Sequence, residues 1–506
     1  MAEESFQNNF FDTEYLKADL KGRSIQGGVA TISAQGATFL LHTGSTVVLA
    51  RLLTPQDFGL IAMVTAVTSF AMMFKDMGLS MATIQRAEIN HNQISTLFWI
   101  NVVLSLCIML VTAALAPVIA WFYGEPRLTW ITLAMAGAFI FGGLTVQHQA
   151  LLRRNMRFGT LALIGIISTV VGIVAAIISA WYGAGYWALV IMQLAGAIAG
   201  AIAVWLACGW RPGLPAHRSG IREMLFFGGN LTGFNIVNYF ARNLDKVLIG
   251  KICGSGSLGL YSKAYGLLML PINQIRGPLT SVAMPALSHI QDDPKRYVSF
   301  YTKLVLLVAF LTMPLTIFLA VCSKSVIHLL LGEQWLQAAG IFQVLALAAF
   351  IQPVSTTSGL VLLSLGRSGR YLRWGILHSL VVVTSFVVGI RWGIVGVASA
   401  YAAANYIVLF PSLWYCFRLT PMSIEAFLKA IARPAIASLI MGSVILLSRP
   451  LLGKQPDIVL LCTSFVVGFF TYFSVWTLMP GGMQILRDIC GYVTLIFPKK
   501  NKRFGD

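Results

Sequence analysis

The chain has 506 residues, 57% of them hydrophobic and only 11% charged, and its mean hydropathy is +0.78. A soluble domain is roughly 25% charged, so this composition excludes a water-facing surface wrapped around a single core. The formal charge of +18 would suggest nucleic acid in a soluble protein. Here the basic residues sit in short loops between apolar stretches, so they report membrane topology and exclude that partner.

Residues 1–27 precede the first apolar run. Glu3, Glu4, Asp12, Glu14 and Asp19 leave no basic region ahead of an apolar core and a cleavage site, so the first span is expected to act as its own uncleaved targeting signal. Phe11, Tyr15 and Leu20 could put an apolar stripe on a short interfacial helix; a solvated tail is the alternative.

Apolar runs of about 20 residues, long enough for a roughly 30 Å hydrocarbon core, predict spans near 28–50, 58–79, 97–122, 129–151, 159–181 and 185–208. These six form a first lobe, 28–208. The polar, proline-bearing stretch around Arg211, Pro212, Pro215, His217, Arg218 and Arg222 is an expected cytoplasmic interlobe linker, 209–225. Six more spans follow near 226–250, 258–287, 299–322, 338–364, 372–390 and 394–417, a second lobe. Two further spans near 427–448 and 458–479 occupy residues 418–479, and 480–506 is a basic tail. The expected fold is therefore an all-α integral membrane bundle of about fourteen transmembrane helices.

An even number of spans puts both termini on one side. Of the 36 Lys and Arg residues, 25 fall on the side of the termini, 20 in loops and tails and five (Lys75, Lys303, Arg373, Lys429 and Arg433) in the adjoining ends of spans; seven fall in the opposite loops, and four lie elsewhere inside spans. That bias predicts cytoplasmic termini. Seven cysteines lie mostly in or beside spans with no CxxC and read as small apolar residues. No metal or cofactor is expected.

The sequence also repeats itself. At an offset of 200 residues Arg51 falls on Lys251 and Gly59 on Gly259, inside aligned apolar runs; Tyr182-Gly183 matches Trp392-Gly393, and Arg157-Phe158-Gly159 matches Arg373-Trp374-Gly375. An even number of spans per repeat preserves orientation, so the lobes are expected to be related by a pseudo-two-fold axis along the membrane normal, with a site between them.

Charges at membrane depth are costly and usually face partners or water. In the seventh span Asn235, Asn238, Arg242 and Asp245 recur at helical spacing on one face, with Lys246 adjoining; Lys263 and Arg276 follow in the eighth. Two readings stand. Arg242 and Asp245 neutralise each other while the other bases reach the headgroups, or the excess of four bases over one acid binds an anion such as phosphate or pyrophosphate. The 200-residue offset sets His42 opposite Arg242. Asp76, beside Lys75, and Asp245 are the acids available for ion coupling or charge pairing, and Asp292-Asp293 reads as a solvated turn. No G-x-S-x-G, HExxH or Walker motif occurs, and the seven histidines are dispersed, so a transporter is expected and not an enzyme.

The stretches from Thr43 to Leu60 (TGSTVVLARLLTPQDFGL), Arg242 to Gly250 (RNLDKVLIG), Leu258 to Tyr265 (LGLYSKAY), Met284 to Ser288 (MPALS) and Leu330 to Trp335 (LLGEQW) resemble the polysaccharide transport family. The likeness is to Wzx-type lipid-linked oligosaccharide flippases of the lipopolysaccharide and colanic acid exporter type, within the multidrug/oligosaccharidyl-lipid/polysaccharide exporter superfamily. It implies two six-helix lobes with two extra helices, and translocation of undecaprenyl-pyrophosphate-linked glycans across the bacterial inner membrane. It also implies basic residues in a central cavity, a role carried by position to Arg242, Lys246, Lys263 and Arg276. Expected partners are the lipid-linked glycan through its pyrophosphate, membrane lipids, and polysaccharide polymerase or chain-length machinery. The alternatives are a cation-coupled drug exporter of the same superfamily, which would call for an acid-rich cavity, and a membrane glycan ligase or polymerase, which would call for a large external loop.

Overall fold

A computed structural model describes residues 20–72, 74–76, 78–85, 89–215, 222–452 and 455–487. The expected interfacial helix around Phe11 and Tyr15, and the tail beyond residue 487, lie outside them. The described residues are helical with no strand. They form α1 (Leu20–Leu52), α2 (Pro55–Met72), α3 (Leu79–Gln85), α4 (His91–Tyr123), α5 (Arg127–Ala136), α6 (Ala138–Arg154), α7 (Phe158–Trp181), α8 (Trp187–Cys208) and α9 (Arg222–His289). After α9 come α10 (Pro294–Val321), α11 (Ser323–Leu331), α12 (Ala338–Ser355), α13 (Ser358–Ser364), α14 (Ser368–Gly389), α15 (Gly393–Phe417), α16 (Ile424–Leu452) and α17 (Asp457–Leu478). Nine helical stretches among the described residues are long and apolar enough to cross a membrane. The molecule is a multi-pass membrane protein.

Local chemistry explains where helices begin. Thr54 and Asp57 cap α2 reciprocally: the Thr54 N–H donates to Asp57 Oδ2 (2.9 Å) and the Asp57 N–H to Thr54 Oγ1 (3.3 Å), with Pro55 in the first turn. The T-P-Q-D run is thus a helix-start device. Asn90 and Gln93 form the same box at α4. Asp293, expected in a solvated turn, caps α10 by accepting from the Arg296 N–H at 3.1 Å.

Two predicted spans are interrupted and one loosens. The span near 58–79 breaks between α2 and α3, where Gly78 takes φ +70° and the Asp76 carboxylate accepts from the Ser80 N–H (2.8 Å) and hydroxyl. The span near 129–151 loosens at Gly137, whose φ −57° and ψ −26° nevertheless stay helical, so Arg127–Arg154 continues as one stretch. The span near 338–364 breaks after Pro353, which has no N–H to give, where the Thr356 and Thr357 hydroxyls bond back to preceding carbonyls. In addition, α9 is interrupted at Gly254 (φ +83°).

The chain divides into two compact units, one reaching to Gly259 and the other beginning at Leu260. In the first, α7 packs along α8 and against α1, while α4 packs on α5 and α6. Its core gathers Leu79, Ile94, Leu97, Phe98, Leu151 and Trp210. The chain after α8 is pinned to this unit: the fully buried Trp210 indole donates to His91 Nδ1 (3.2 Å), the Gly213 N–H to Ser95 Oγ (2.9 Å), and the Trp99 indole to the Gly213 carbonyl (2.9 Å). His148 is stacked on Trp205 behind it, ring centres 4.5 Å apart.

Two glycines set the closest backbone approach. A Cβ on Gly59 would lie 1.7 Å from the Ser255 carbonyl oxygen, and one on Gly259 would lie 1.8 Å from that of Pro55. Positions 55 and 59 are each 200 residues from 255 and 259, so the two segments exchange roles. In the second unit α10 packs against α12 and α16, α14 against α15, and α16 against α17. Its core is built on Tyr297, Tyr301, Val305, Leu413 and Phe427.

Candidate functional site

The expected site residues divide by element. Asn235, Asn238 and Arg242 lie in α9 ahead of Gly254, where the backbone is helical, as their spacing requires; their side chains lie outside the described residues. Asp245 is buried at 6% exposure, and its Oδ1 accepts from the Lys246 N–H at 2.8 Å. The half-buried Lys246 ammonium donates to Asn243 Oδ1 at 3.2 Å. Asn243, Asp245 and Lys246 therefore form one polar turn in the first unit.

Lys263 and Arg276 follow Gly254 in α9 and are half-buried in the second unit; both engage neighbours. His42 is exposed on α1, and its carbonyl accepts from Ser45 Oγ at 3.0 Å. Asp76 is committed to the first turn of α3 through Ser80.

The structure adds a polar group in the first unit that the sequence reading did not collect. Thr83 Oγ1 donates to Gln147 Oε1 (2.9 Å), Gln147 Nε2 to Asn101 Oδ1 (2.8 Å), and Asn101 Nδ2 to the Lys75 carbonyl (3.2 Å). Arg154 Nη1 donates to the Thr83 carbonyl at 3.1 Å. Thr83, Asn101 and Gln147 are fully buried. The chain of bonds ties the α2–α3 break to α4 and α6, satisfying polar groups that would each be costly to leave unpaired in an apolar surround. Polar residues inside apolar spans were the available signal; Asn101 and Gln147 stand 46 positions apart, and nothing in the sequence pairs them.

At the loop joining α4 to α5, Arg127 grips Glu125 through Nε (2.8 Å) and Nη2 (2.9 Å), and this hydrogen bonding holds the Glu125 carboxyl below its ordinary range. Among the described residues no group of His, Cys, Asp and Glu could hold a metal ion.

Residues 48–340 match the family described as "Polysaccharide biosynthesis protein". The chain is 28% identical to teichuronic acid biosynthesis protein TuaB of Bacillus subtilis over 74% of this chain and 78% of that protein. It is 26% identical to lipopolysaccharide biosynthesis protein WzxC of Escherichia coli over 77% and 80%. Among solved structures it resembles the lipid II flippase MurJ in an inward closed conformation, with a TM-score of 0.73 at 15% identity, covering 92% of this chain and all of that one.

Proposed function

The chain belongs to the polysaccharide biosynthesis protein family, and from that membership we propose that it is a flippase, carrying a lipid-linked oligosaccharide or polysaccharide repeat unit across the bacterial inner membrane. One observation supports this above the rest. A multi-pass helical bundle with the MurJ-like fold also matches relatives named for lipopolysaccharide and teichuronic acid biosynthesis along three quarters of its length. A lipid-linked glycan suits such a bundle, because its polar head needs a wet path and its tail can stay in the bilayer.

In this reading residues 28–208 and 226–417 are lobes related about the membrane normal, joined by a cytoplasmic linker at 209–225. Residues 418–479 are added helices and 480–506 a cytoplasmic tail. Both termini are cytoplasmic, in keeping with the Lys and Arg bias. Arg242, Lys246, Lys263 and Arg276 supply positive charge for the pyrophosphate, with Asn235, Asn238 and His42 as further polar contacts and Asp245 as internal counter-charge. Rocking of the lobes exposes the head outside, where polymerase or chain-length machinery would take it.

The test is a chromosomal deletion. Lipid-linked precursor should accumulate on the cytoplasmic leaflet while surface glycan disappears, and complementation should reverse both. Unchanged surface glycan in the deletion strain would sink the proposal. Cysteines introduced at Arg211 should resist labelling from outside the cell, whereas one at Gln455 should react.

A further inference from the structure

The α2–α3 break holds a lysine whose neighbouring acid, within electrostatic reach, has its hydrogen bonds committed elsewhere. The Asp76 carboxylate, next to Lys75 in sequence, is bonded to the N–H and hydroxyl of Ser80. Among the described residues no carboxylate lies within ion-pair distance of Lys75 Nζ and no acceptor within hydrogen-bond distance. The side chain is half-buried and lies over Gly142 of α6, where an added Cβ would sit 2.7 Å from Lys75 Cδ and 2.9 Å from Nζ. That glycine is the seat for the lysine chain.

The next residue of α6, Gly143, packs on Ser105 of α4. Ser105, one turn along α4 from Asn101, is fully buried, and its Oγ has no hydrogen-bond partner among the described residues. It would lie 2.4 Å from a Cβ on Gly143, the residue next to the lysine's seat.

The depth of this group follows from α4. Asn101, which binds the Lys75 carbonyl, lies ten residues into that 33-residue helix, about 15 Å along a length of about 50 Å. A hydrocarbon core of about 30 Å centred on the helix would start about 10 Å from its end, so Lys75 sits roughly 5 Å inside the boundary. Irregular backbone at such depth persists where it lines a protein cavity or water, and discontinuous helices there are common places for charged substrates.

Resting on the proposed function, we infer that Lys75, seated on Gly142 at the α2–α3 break, is a second anion site on the first unit for the phosphate or pyrophosphate of the lipid-linked substrate. The ammonium supplies a charge-assisted hydrogen bond. The residues lie in the first unit only and share none of the bases of α9. Of the two sources of such an anion, the assignment is to the lipid head and not to free phosphate.

The full chain purified in detergent micelles is titrated with undecaprenyl pyrophosphate, inorganic pyrophosphate and undecaprenol. The wild type should bind the first tightly and undecaprenol weakly. Lys75→Gln should weaken lipid pyrophosphate binding by at least about tenfold, and Lys75→Arg should stay within about threefold of wild type. Gly142→Ala, which keeps the charge but pushes the chain from its seat, should weaken binding in the same direction. It decides the matter if Lys75→Gln fails to give a single gel-filtration peak.

Equal binding by wild type and both weakening variants would overturn the inference and leave the proposed function standing. A wild type that binds no undecaprenyl pyrophosphate would remove both. A loss confined to inorganic pyrophosphate would make Lys75 a free-phosphate site and overturn the lipid assignment.

Discussion

Each unit is braced across its helices by a buried polar pair, and the chemistry of the brace differs. In the first, Gln147 of α6 donates to Asn101 of α4 at 2.8 Å. At 210 and 200 residues further on, the second places Thr357 and Tyr301, whose hydroxyls meet at 3.0 Å. The hydroxyl pair closes on itself: Thr357 also donates to the Val354 carbonyl (2.7 Å), and Tyr301 is sealed in the apolar core. The amide pair has capacity left over and spends it outward, on Thr83 and on the Lys75 carbonyl. A hydroxyl pair can hold two helices together; an amide pair can also position a turn.

The turns that follow show the same contrast. The Arg157 N–H donates to the Leu152 carbonyl (2.9 Å) just after Met156, at φ +54°; the Arg367 N–H donates to the Leu362 carbonyl (2.8 Å) just after Gly366, at φ +70°. The second unit uses glycine where L side chains are strained, whereas the first keeps a methionine there. The first unit's turn is held from outside by Arg154 on the Thr83 carbonyl, and locally by Asn155 Nδ2 on the Leu151 carbonyl of the same helix (2.9 Å).

Breaking the braces should separate the units most. Asn101→Leu leaves the Gln147 amide and the Lys75 carbonyl unpaired together, and should cost about 3 kcal/mol in unfolding of the purified protein, with loss of glycan export. Gly366→Ala should cost about 1–2 kcal/mol, and Met156→Gly should gain up to about 1 kcal/mol as strain is relieved; if both were neutral, the shared left-handed geometry would carry no energy. Tyr301→Phe removes one bond and leaves Thr357 satisfied, so about 1 kcal/mol is expected, with export retained.

The smallest effect lies at the loop after α4. Glu125→Gln should cost about 0.5 kcal/mol at neutral pH. Because Arg127 lowers the folded carboxyl below its unfolded value, that contribution is present above the ordinary carboxylate range and is lost as pH falls through the depressed one. A difference between variant and wild type that persists in strong acid would contradict the pairing.

How much of this could be read beforehand follows from the range of each interaction. Apolar length marked α7 and α17 within a residue, 159–181 against Phe158–Trp181 and 458–479 against Asp457–Leu478, because a span is a local property. The breaks were missed because Gly78, Thr356 and Thr357 act through a few atoms inside runs that average as apolar. At the 210-residue offset that sets Tyr182 on Trp392, the turn before Arg157 falls on the turn before Arg367, with the same hydrogen bond from the arginine N–H. Asp76 stays within electrostatic reach of Lys75, but its hydrogen bonds go to Ser80, through a turn that sequence spacing does not encode.

The crossing at Gly59 and Gly259 has a consequence for how this chain can drift. Where a glycine faces a side chain, as Gly442 faces Ile317, enlarging one partner can be offset by trimming the other. At Gly59 and Gly259 the opposing atoms are the carbonyls of Ser255 and Pro55, which no substitution shortens. No second-site change in the facing residue can compensate, so among homologues that keep this crossing both positions should be fixed and should covary with nothing, while position 442 trades size with position 317.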